Sequence, residues 1–312
     1  MSRNAAPKSG HWAEQPERGS MQLMRLTAWA ARKLGRRVVA PVVWAIVLYF
    51  YLFGSQARRS ITEYQHRLRT ATANNLLIPA SHPVYRQYLA FADALLYKLD
   101  SWQGKIQIQD LDIIDAAKLH EQMGEGRGQI LVSAHLGNME VCRALAQHKT
   151  KVVLNILVHD KNAEQFNRLL HEAGASHLRL LQVSELNTAT MLQLSERIER
   201  GEWLAIAGDR IPLHGGRTVD VDFLHATASL PQGPWLLAGL LRCPVNLIFC
   251  TKHNDRFRVT LERLADTVTW TRATRAQQIQ RHAQAYADRL AAHCRQAPLQ
   301  WFNFYPFWSP HA

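Results

Sequence analysis

The stretch QILVSAHLGNME, residues 129–140, has the pattern that decides the fold class. Its first six residues form a short, mostly apolar run of the kind that makes a buried strand. His135 follows directly, and Leu136-Gly137-Asn138 then offers a turn, because glycine adopts backbone angles that other residues avoid. Glu140 is expected in the first turn of the next helix, with Asn138 as its cap. The stretch therefore predicts a strand, a turn and a helix, with polar side chains where the strand ends.

Runs of the same kind recur along the chain and alternate with segments of helical periodicity. The strand-like runs are 129–134, 152–158, 178–183, 203–207, 245–250 and 257–261, and the helical segments are 139–147, 163–173, 184–200, 231–241 and 272–294. Residues 55–125 are predicted to be mainly helical. The alternation predicts an α/β fold with a central, mostly parallel sheet flanked by helices.

Polar residues directly after the strands are the candidate site, because open α/β sheets bind ligands at the carboxyl ends of their strands. A histidine and a carboxylate brought together there form a general base and the acid that orients it. The His-x4-Glu spacing alone is weak, since it also occurs at His120/Glu125 and at His159/Glu164. Of the three pairs, His135/Glu140 combines a preceding strand with a glycine turn, so we predict that this pair is catalytic. A hydrogen-bonded structural histidine is the alternative.

Asp209 and Arg210 follow another predicted strand. A guanidinium group at that place suits a substrate phosphate, with Arg217 assisting, and Asp209 is expected to orient rather than to act as a second base. An exposed Asp-Arg turn is the alternative. Asn138 and His159 complete the predicted substrate-binding residues.

Other chemistries lack their signatures in this sequence. It contains no GxSxG elbow of a serine hydrolase and no HExxH of a zinc enzyme, so neither an enzyme nucleophile, nor a metal site, nor a cofactor is predicted. The four cysteines lack CxxC spacing, which favours a reducing compartment over a disulfide scaffold.

Most of the positive charge lies near the amino terminus. The chain has 312 residues and a net charge of +12, and residues 1–70, with 12 Lys or Arg and 3 acidic residues, carry +9 of it. Within them, residues 38–54 contain no charge and would form a helix about 26 Å long, marginal for a bilayer core of about 30 Å. A basic, apolar segment is typical of attachment to an anionic leaflet. We predict a membrane-anchoring segment at 1–57 and an α/β domain at 58–312, and a buried core helix is the alternative.

A nucleic-acid partner is not predicted. The remaining charge of +3 is spread over residues 71–312, and the sequence has no helix-turn-helix, zinc-finger or RNA-recognition signature. The aromatic terminus WFNFYPFW is expected to pack at the domain edge or to contact the membrane interface.

Five boxes, in this order, resemble one family of bacterial enzymes. They are HWAEQPERGS, SAHLGNME, AGDRIP, Leu230-Pro231-Gln232-Gly233 and WFNFYPFW. Together they resemble the lipid A late (secondary) acyltransferases, the lauroyl and myristoyl transferase group of the lysophospholipid acyltransferase superfamily, over nearly the whole chain. The better-known lipid A enzymes have other residues between the histidine and the glutamate and a different acidic box, which leaves the acceptor open.

The resemblance implies an α/β domain on the cytoplasmic face of the inner membrane. Such an enzyme moves a fatty acyl chain from acyl carrier protein, or from acyl-CoA, to a hydroxyl of a lipid acceptor. The resemblance also implies that His135 is the catalytic histidine, that Glu140 is its paired acid, and that Asp209 and Arg210 form part of the acceptor site. The expected function is O-acylation of a lipid A precursor or a related glycolipid. The alternatives are another glycolipid, a lipid-linked pigment, or a non-catalytic membrane adaptor.

Overall fold

The computed structural model describes residues 36–72, 78–102, 104–142, 153–158, 178–182, 187–211 and 216–308. Its first helices are α1 (Arg36–Phe53), α2 (Ser55–Thr70) and α3 (Pro83–Trp102). The next elements are β1 (Leu111–Ile114), α4 (Leu119–Gln122), β2 (Ile130–Ser133), β3 (Leu154–Val158), β4 (Leu178–Gln182), α5 (Thr188–Glu199) and β5 (Trp203–Ala207). The last are β6 (Thr218–Asp222), β7 (Thr227–Pro231), α6 (Gly233–Leu241), β8 (Val245–His253), β9 (Arg256–Ala265) and α7 (Arg275–Gln296). Single 3₁₀ turns lie at Ile108–Asp110 and Met139–Cys142.

The described strands form a seven-stranded sheet in the order β1-β9-β8-β2-β5-β3-β4, beside a two-stranded hairpin of β6 and β7. Every neighbouring pair in the large sheet is parallel except β8 and β9, which a tight turn joins. This confirms the predicted α/β fold with a mostly parallel sheet. The helix predicted at 163–173 lies outside the described residues, and of the one predicted at 139–147 the described part is the 3₁₀ turn Met139–Cys142.

Both faces of the central strands are buried, which explains why their sequences are apolar without alternation. Neighbouring residues of β2 face opposite sides of the sheet: Leu131 packs in one hydrophobic cluster with Trp203, and Val132 packs in the other with Leu204. Helices α6 and α7 cover the second side, where Trp235 and Tyr286 are fully buried.

The first helix has two apolar faces. Val39, Val43 and Val47 recur every fourth residue and are buried against α3. The apolar face of α1, as we call the other side, is exposed and consists of Val38, Val42, Trp44, Leu48, Tyr49, Leu52 and Phe53.

In the described part of the chain no single helix is long and apolar enough to cross a membrane. The bent pair Val38–Phe53 and Ser55–Thr70, at 88° to each other, meets that criterion together, by length and composition only.

Candidate active site

The sheet register brings two of the predicted site residues together. In the parallel pair β2 and β5, Ser133 lies opposite Ala207. His135 and Asp209 each come two residues after that pair, so they leave the same edge of the sheet side by side. This edge is the carboxyl end of both strands, where open α/β sheets place their ligands.

His135 is bound twice by the carboxylate of Asp209. Its ring Nδ1 lies 2.8 Å from Asp209 Oδ1, and its backbone N–H donates to Oδ2 at 2.9 Å. The Asp209 side chain is completely buried, whereas His135 is partly exposed. Burial by itself raises the pKa of Asp209, but attraction to His135 and Arg210 and the hydrogen bonds from His135 outweigh it and lower the pKa to about 2. The carboxylate is therefore ionised and acts as an acceptor for Nδ1–H.

The turn after His135 depends on a glycine. Gly137 has a φ of +69°, and a Cβ there would lie 1.9 Å from the backbone oxygen of Cys250. The chain passes so close to β8 that Asn138 N–H donates to the same oxygen at 2.8 Å. The predicted glycine turn is confirmed, and the 3₁₀ turn that holds Glu140 starts at Met139.

A cleft of about 490 Å³ opens over His135. The end of β2 and the following turn provide one part of its wall: Ser133, Ala134, His135, Gly137, Asn138, Met139 and Glu140. The rest comes from α3, from the end of β5 and from the carboxyl-terminal segment: Phe91, Ala94, Leu95, Lys98, Ala207, Arg210, Phe302, Phe304 and Tyr305. The cleft thus combines a histidine side chain with a largely apolar, aromatic wall.

A sequence model described as "Bacterial lipid A biosynthesis acyltransferase" matches residues 85–309, which include every described residue of this cleft. The chain belongs to this family. One curated relative is the phosphatidylinositol mannoside acyltransferase of Mycolicibacterium smegmatis (strain ATCC 700084 / mc(2)155), which is 22% identical over 200 residues. That match covers 64% of this chain and 63% of the relative, so the chain spans less than two thirds of that protein.

In this member of the family, Glu140 lines the cleft but its described ion pair is with α3. Its Oε1 lies 2.9 Å from Lys98 Nζ, and both side chains are about one third exposed. Its backbone oxygen accepts a hydrogen bond from Ser101 Oγ at 2.6 Å. The carboxylate bound to His135 Nδ1 is that of Asp209. The two acids of the family boxes therefore have different places: Asp209 is bound to the His135 ring, and Glu140 lies in the cleft wall and pairs with Lys98.

Arg210 faces the cleft and is anchored to the carboxyl-terminal segment. Its Nε donates to Asn303 Oδ1 and its Nη2 donates to the Phe302 backbone oxygen, both at 2.9 Å. Burial lowers the pKa of the guanidinium, and the Asp209 charge opposes that effect. Two of its nitrogens are thus engaged inside the protein rather than presented as a pair to a phosphate.

Helix α3 is held against the site by polar contacts along its length. Asn138 Nδ2 donates to the Ala94 backbone oxygen at 2.9 Å, so its side chain ties the turn to α3. Lys252, near the end of β8, contacts Asp93 at 2.8 Å and lies 4.5 Å from the centre of the Tyr97 ring. These contacts fix the distance between the helix and the end of β2.

The remaining predicted residues are placed differently. Arg217 is exposed just before β6 and is not among the described residues that line the cleft. His159 lies outside the described residues. Sequence reasoning did not find Lys98 or the aromatic wall. In the terminal WFNFYPFW, expected at the domain edge or the membrane interface, Phe302, Phe304 and Tyr305 line the cleft, and the dense aromatic pattern was the signal available for them.

Proposed function

We propose that this protein is an O-acyltransferase that moves a fatty acyl chain from a thioester donor to a hydroxyl group of a glycolipid. Family membership and the mannoside acyltransferase relative support the reaction class. The assignment of the base rests on one observation, the 2.8 Å contact between His135 Nδ1 and the buried carboxylate of Asp209. Because Asp209 occupies Nδ1, Nε2 is the nitrogen that takes the proton.

The reaction then needs no enzyme nucleophile. Nε2 of His135 removes the proton of the acceptor hydroxyl while the hydroxyl oxygen attacks the thioester carbonyl carbon. The tetrahedral intermediate collapses, the C–S bond breaks, and the departing sulfur takes the proton back from the imidazolium. Asp209 stabilises the imidazolium and holds the ring in the Nδ1–H tautomer. The products are an ester of the glycolipid and a free thiol.

In this proposal the orienting role predicted for Glu140 belongs to Asp209. Glu140 keeps a place in the cleft wall, where its ion pair with Lys98 provides polar atoms for the acceptor hydroxyl or its neighbours. Arg210 shapes the cleft by anchoring Phe302 and Asn303. Asn138 holds α3 in place, and the acceptor contacts predicted for His159 and Arg217 stay predictions.

The acyl donor proposed is acyl carrier protein or acyl-CoA, and the acceptor is a lipid A precursor or a related glycolipid. The aromatic and aliphatic wall formed by Phe91, Leu95, Phe302 and Phe304 suits an acyl chain, since it removes apolar surface from water next to the base. The mannoside acyltransferase relative supports a second kind of glycolipid acceptor, a phosphatidylinositol mannoside.

We also propose that the protein works on the cytoplasmic face of the inner membrane. The apolar face of α1 is exposed on the described part of the chain, and it lies in the segment that carries +9. A helix with such a face and basic neighbours binds to an anionic lipid surface. Attachment there brings the cleft to a lipid acceptor that does not leave the membrane.

The test uses the full chain in lipid vesicles, with acyl carrier protein and coenzyme A thioesters of several chain lengths offered in parallel. We expect His135→Ala to lower kcat by about 10³-fold or more, because the general base is lost together with its orientation. His120→Ala is the matched control, since His120 has the same spacing to a glutamate but lies on α4 and is not among the described residues that line the cleft. Mass spectrometry of lipids from a deletion strain identifies the acceptor. Complementation of that strain by His135→Ala would instead favour a non-catalytic adaptor.

A further inference from the structure

The carboxyl-terminal segment 301–305, WFNFY, has different neighbours on alternate residues. Trp301 Nε1 donates to Asp209 Oδ2 at 3.1 Å, and Asn303 Nδ2 donates to the same oxygen at 3.2 Å. Tyr305 OH donates to the Asp209 backbone oxygen at 3.3 Å. The intervening residues, Phe302 and Phe304, line the cleft. One edge of the segment therefore faces Asp209, and the other forms part of the cleft wall, to which Tyr305 also contributes.

We propose that Trp301 and Asn303 are positioning residues, which hold the Asp209 carboxylate so that Oδ1 stays on His135 Nδ1. The inference rests on the proposed function, in which this contact keeps the imidazole in the tautomer whose Nε2 is the base. It assigns to the end of the chain a part in catalysis, beyond packing at the domain edge.

The burial of Asp209 makes these donors necessary. Its side chain has no exposure, so the hydrogen bonds that an ionised carboxylate needs must come from protein groups. Oδ1 receives His135 Nδ1–H, and Oδ2 receives the His135 backbone N–H together with Trp301 and Asn303. Without the last two donors, one backbone N–H would remain on Oδ2 to oppose rotation of the carboxylate about its bond to Cβ.

Asn303 is suited to this place because an amide both donates and accepts. Its Oδ1 accepts from Arg210 Nε at 2.9 Å while its Nδ2 donates to Asp209. Arginine has only donors and an ionised carboxylate only acceptors, so the amide has one satisfied orientation. The residue thus links the cation and the anion that follow β5.

The segment is itself tied to both sides of the catalytic histidine. Phe302 N–H donates to the His135 backbone oxygen, and Gly137 N–H donates to the Gln300 backbone oxygen, both at 2.8 Å. Gln87 Nε2, from α3, donates to the Trp301 backbone oxygen at 2.7 Å. A shift of the segment would therefore move the donors and the histidine together.

The test reads the tautomer of His135 directly, in the full chain labelled with ¹⁵N-histidine. The His135 signal is identified by its loss in His135→Gln, and the spectra are recorded at rising pH until they no longer change, so that the tautomer of the deprotonated ring is read. We expect the wild type to show the Nδ1–H tautomer alone. Trp301→Phe and Asn303→Leu each remove one donor to Oδ2 while keeping an apolar body in place, and we expect both tautomers in these variants.

A third variant and a matched control separate positioning from packing. Asn303→Ala removes the donor to Asp209 without introducing another polar group, so it should also show both tautomers. Trp308→Phe removes an indole donor that lies three residues beyond this segment and donates to the Phe223 backbone oxygen, and it should keep the wild-type spectrum. In acyl transfer we expect kcat to fall about tenfold or more per lost donor, because hydrogen bonds to charged groups are the strong ones, while KM changes less than about twofold.

A pure Nδ1–H tautomer in the folded variants would overturn the proposal, whatever happens to their activity. If Trp301→Phe does not fold, the spectra of Asn303→Leu and Asn303→Ala decide between the two outcomes. The spectra do not depend on acyl transfer. An inactive wild type with the expected spectra would therefore contradict the proposed function and leave the positioning role supported.

Discussion

Among the described residues, four donors contact the two carboxylate oxygens of Asp209, and three of them are on Oδ2. The described donor on Oδ1 is Nδ1 of His135. This division explains how a buried group retains its charge: each oxygen is satisfied, and one of the two is directed at the histidine. The cleft carboxylate, Glu140, has a different environment because it is partly exposed and paired with Lys98.

The two carboxylates should therefore respond differently to loss of charge. We expect Asp209→Asn to lower kcat by about 10³- to 10⁴-fold, since an amide can donate to Nδ1 and favour the wrong tautomer. Glu140→Gln should cost about tenfold or less in kcat/KM, because the described ion pair of Glu140 is with Lys98 and the His135 ring is held by Asp209. Steady-state acyl transfer on both variants checks this. A larger loss in Glu140→Gln than in Asp209→Asn would return the orienting role to Glu140.

Asp209 should also make stability depend on pH in the acid range. Its pKa is about 2 in the folded protein against an ordinary 3.8, so the folded state binds the proton less readily than the unfolded state. Its stabilising contribution, on the order of 2 kcal/mol, is complete above pH 3.8 and is lost as the pH falls through about 2. The difference in unfolding free energy between wild type and Asp209→Asn should shrink by about 2 kcal/mol as the pH falls from 3.8 to about 2.

Urea unfolding of both proteins at several acid pH values measures the difference. Every other acidic group titrates in both proteins, so its contribution cancels. A difference that stays constant down to about pH 2 would contradict the lowered pKa of Asp209.

At the scale of elements, local sequence was sufficient for most of the sheet. The runs predicted as strands correspond to β2, β3, β4, β5, β8 and β9, because strands buried on both faces are apolar throughout. The hairpin of β6 and β7 was missed for a physical reason. Its turn residues, Leu224 and His225, have φ of +55° and +60°, where hairpin turns usually carry Asn or Gly. The sequence therefore contained no turn signal between those strands.

The turn after β2 allows a direct test of local backbone geometry. In Gly137→Ala the new methyl group would meet the Cys250 backbone oxygen at 1.9 Å, and the residue would keep a φ of +69°. In Gly104→Ala the φ is +67° and no atom lies within 4 Å of the new methyl group, so this variant measures the backbone cost alone. We expect Gly104→Ala to cost about 1 kcal/mol of unfolding free energy and Gly137→Ala about 3 kcal/mol or more.

Denaturant unfolding of the two variants gives both values, and the acyl-transfer rate of Gly137→Ala reports the displacement of His135. Equal costs for the two substitutions would show that the close approach to β8 is not rigid.

At the scale of the whole molecule, the sequence alone could name the site residues but not their pairing. His135, Asp209 and Arg210 were recognised because each follows a strand. That His135 meets Asp209 depends on β2 and β5 being neighbours in the sheet, although the two residues are far apart in the chain. The spacing of five residues to Glu140 is local and therefore visible in the sequence. The parts of the site contributed by α3 and the carboxyl-terminal segment are equally non-local, which is why Lys98 and Asn303 could not be predicted.

In the proposed membrane attachment, the apolar face of α1 would set the direction of the whole molecule relative to lipid, and vesicle flotation tests this attachment. Leu48 and Leu52 on this face are 44% and 55% exposed, so replacing both by Asp leaves the packing against α3 intact while it places two charges at the lipid surface. We expect the fraction bound to anionic vesicles to fall about tenfold or more, because apolar burial is replaced by the cost of burying charge.

The matched control for this pair is Leu192→Asp on α5, which is 62% exposed and lies outside the amino-terminal segment. It should bind as the wild type does. Vesicles without anionic lipid, and raised salt, should each weaken binding of the wild type, since the basic residues of segment 1–70 supply the electrostatic part. Unchanged flotation of Leu48→Asp/Leu52→Asp would show that α1 does not lie on the membrane. The apolar face would then have to be covered in another way, and the lipid acceptor would have to reach the cleft from solution.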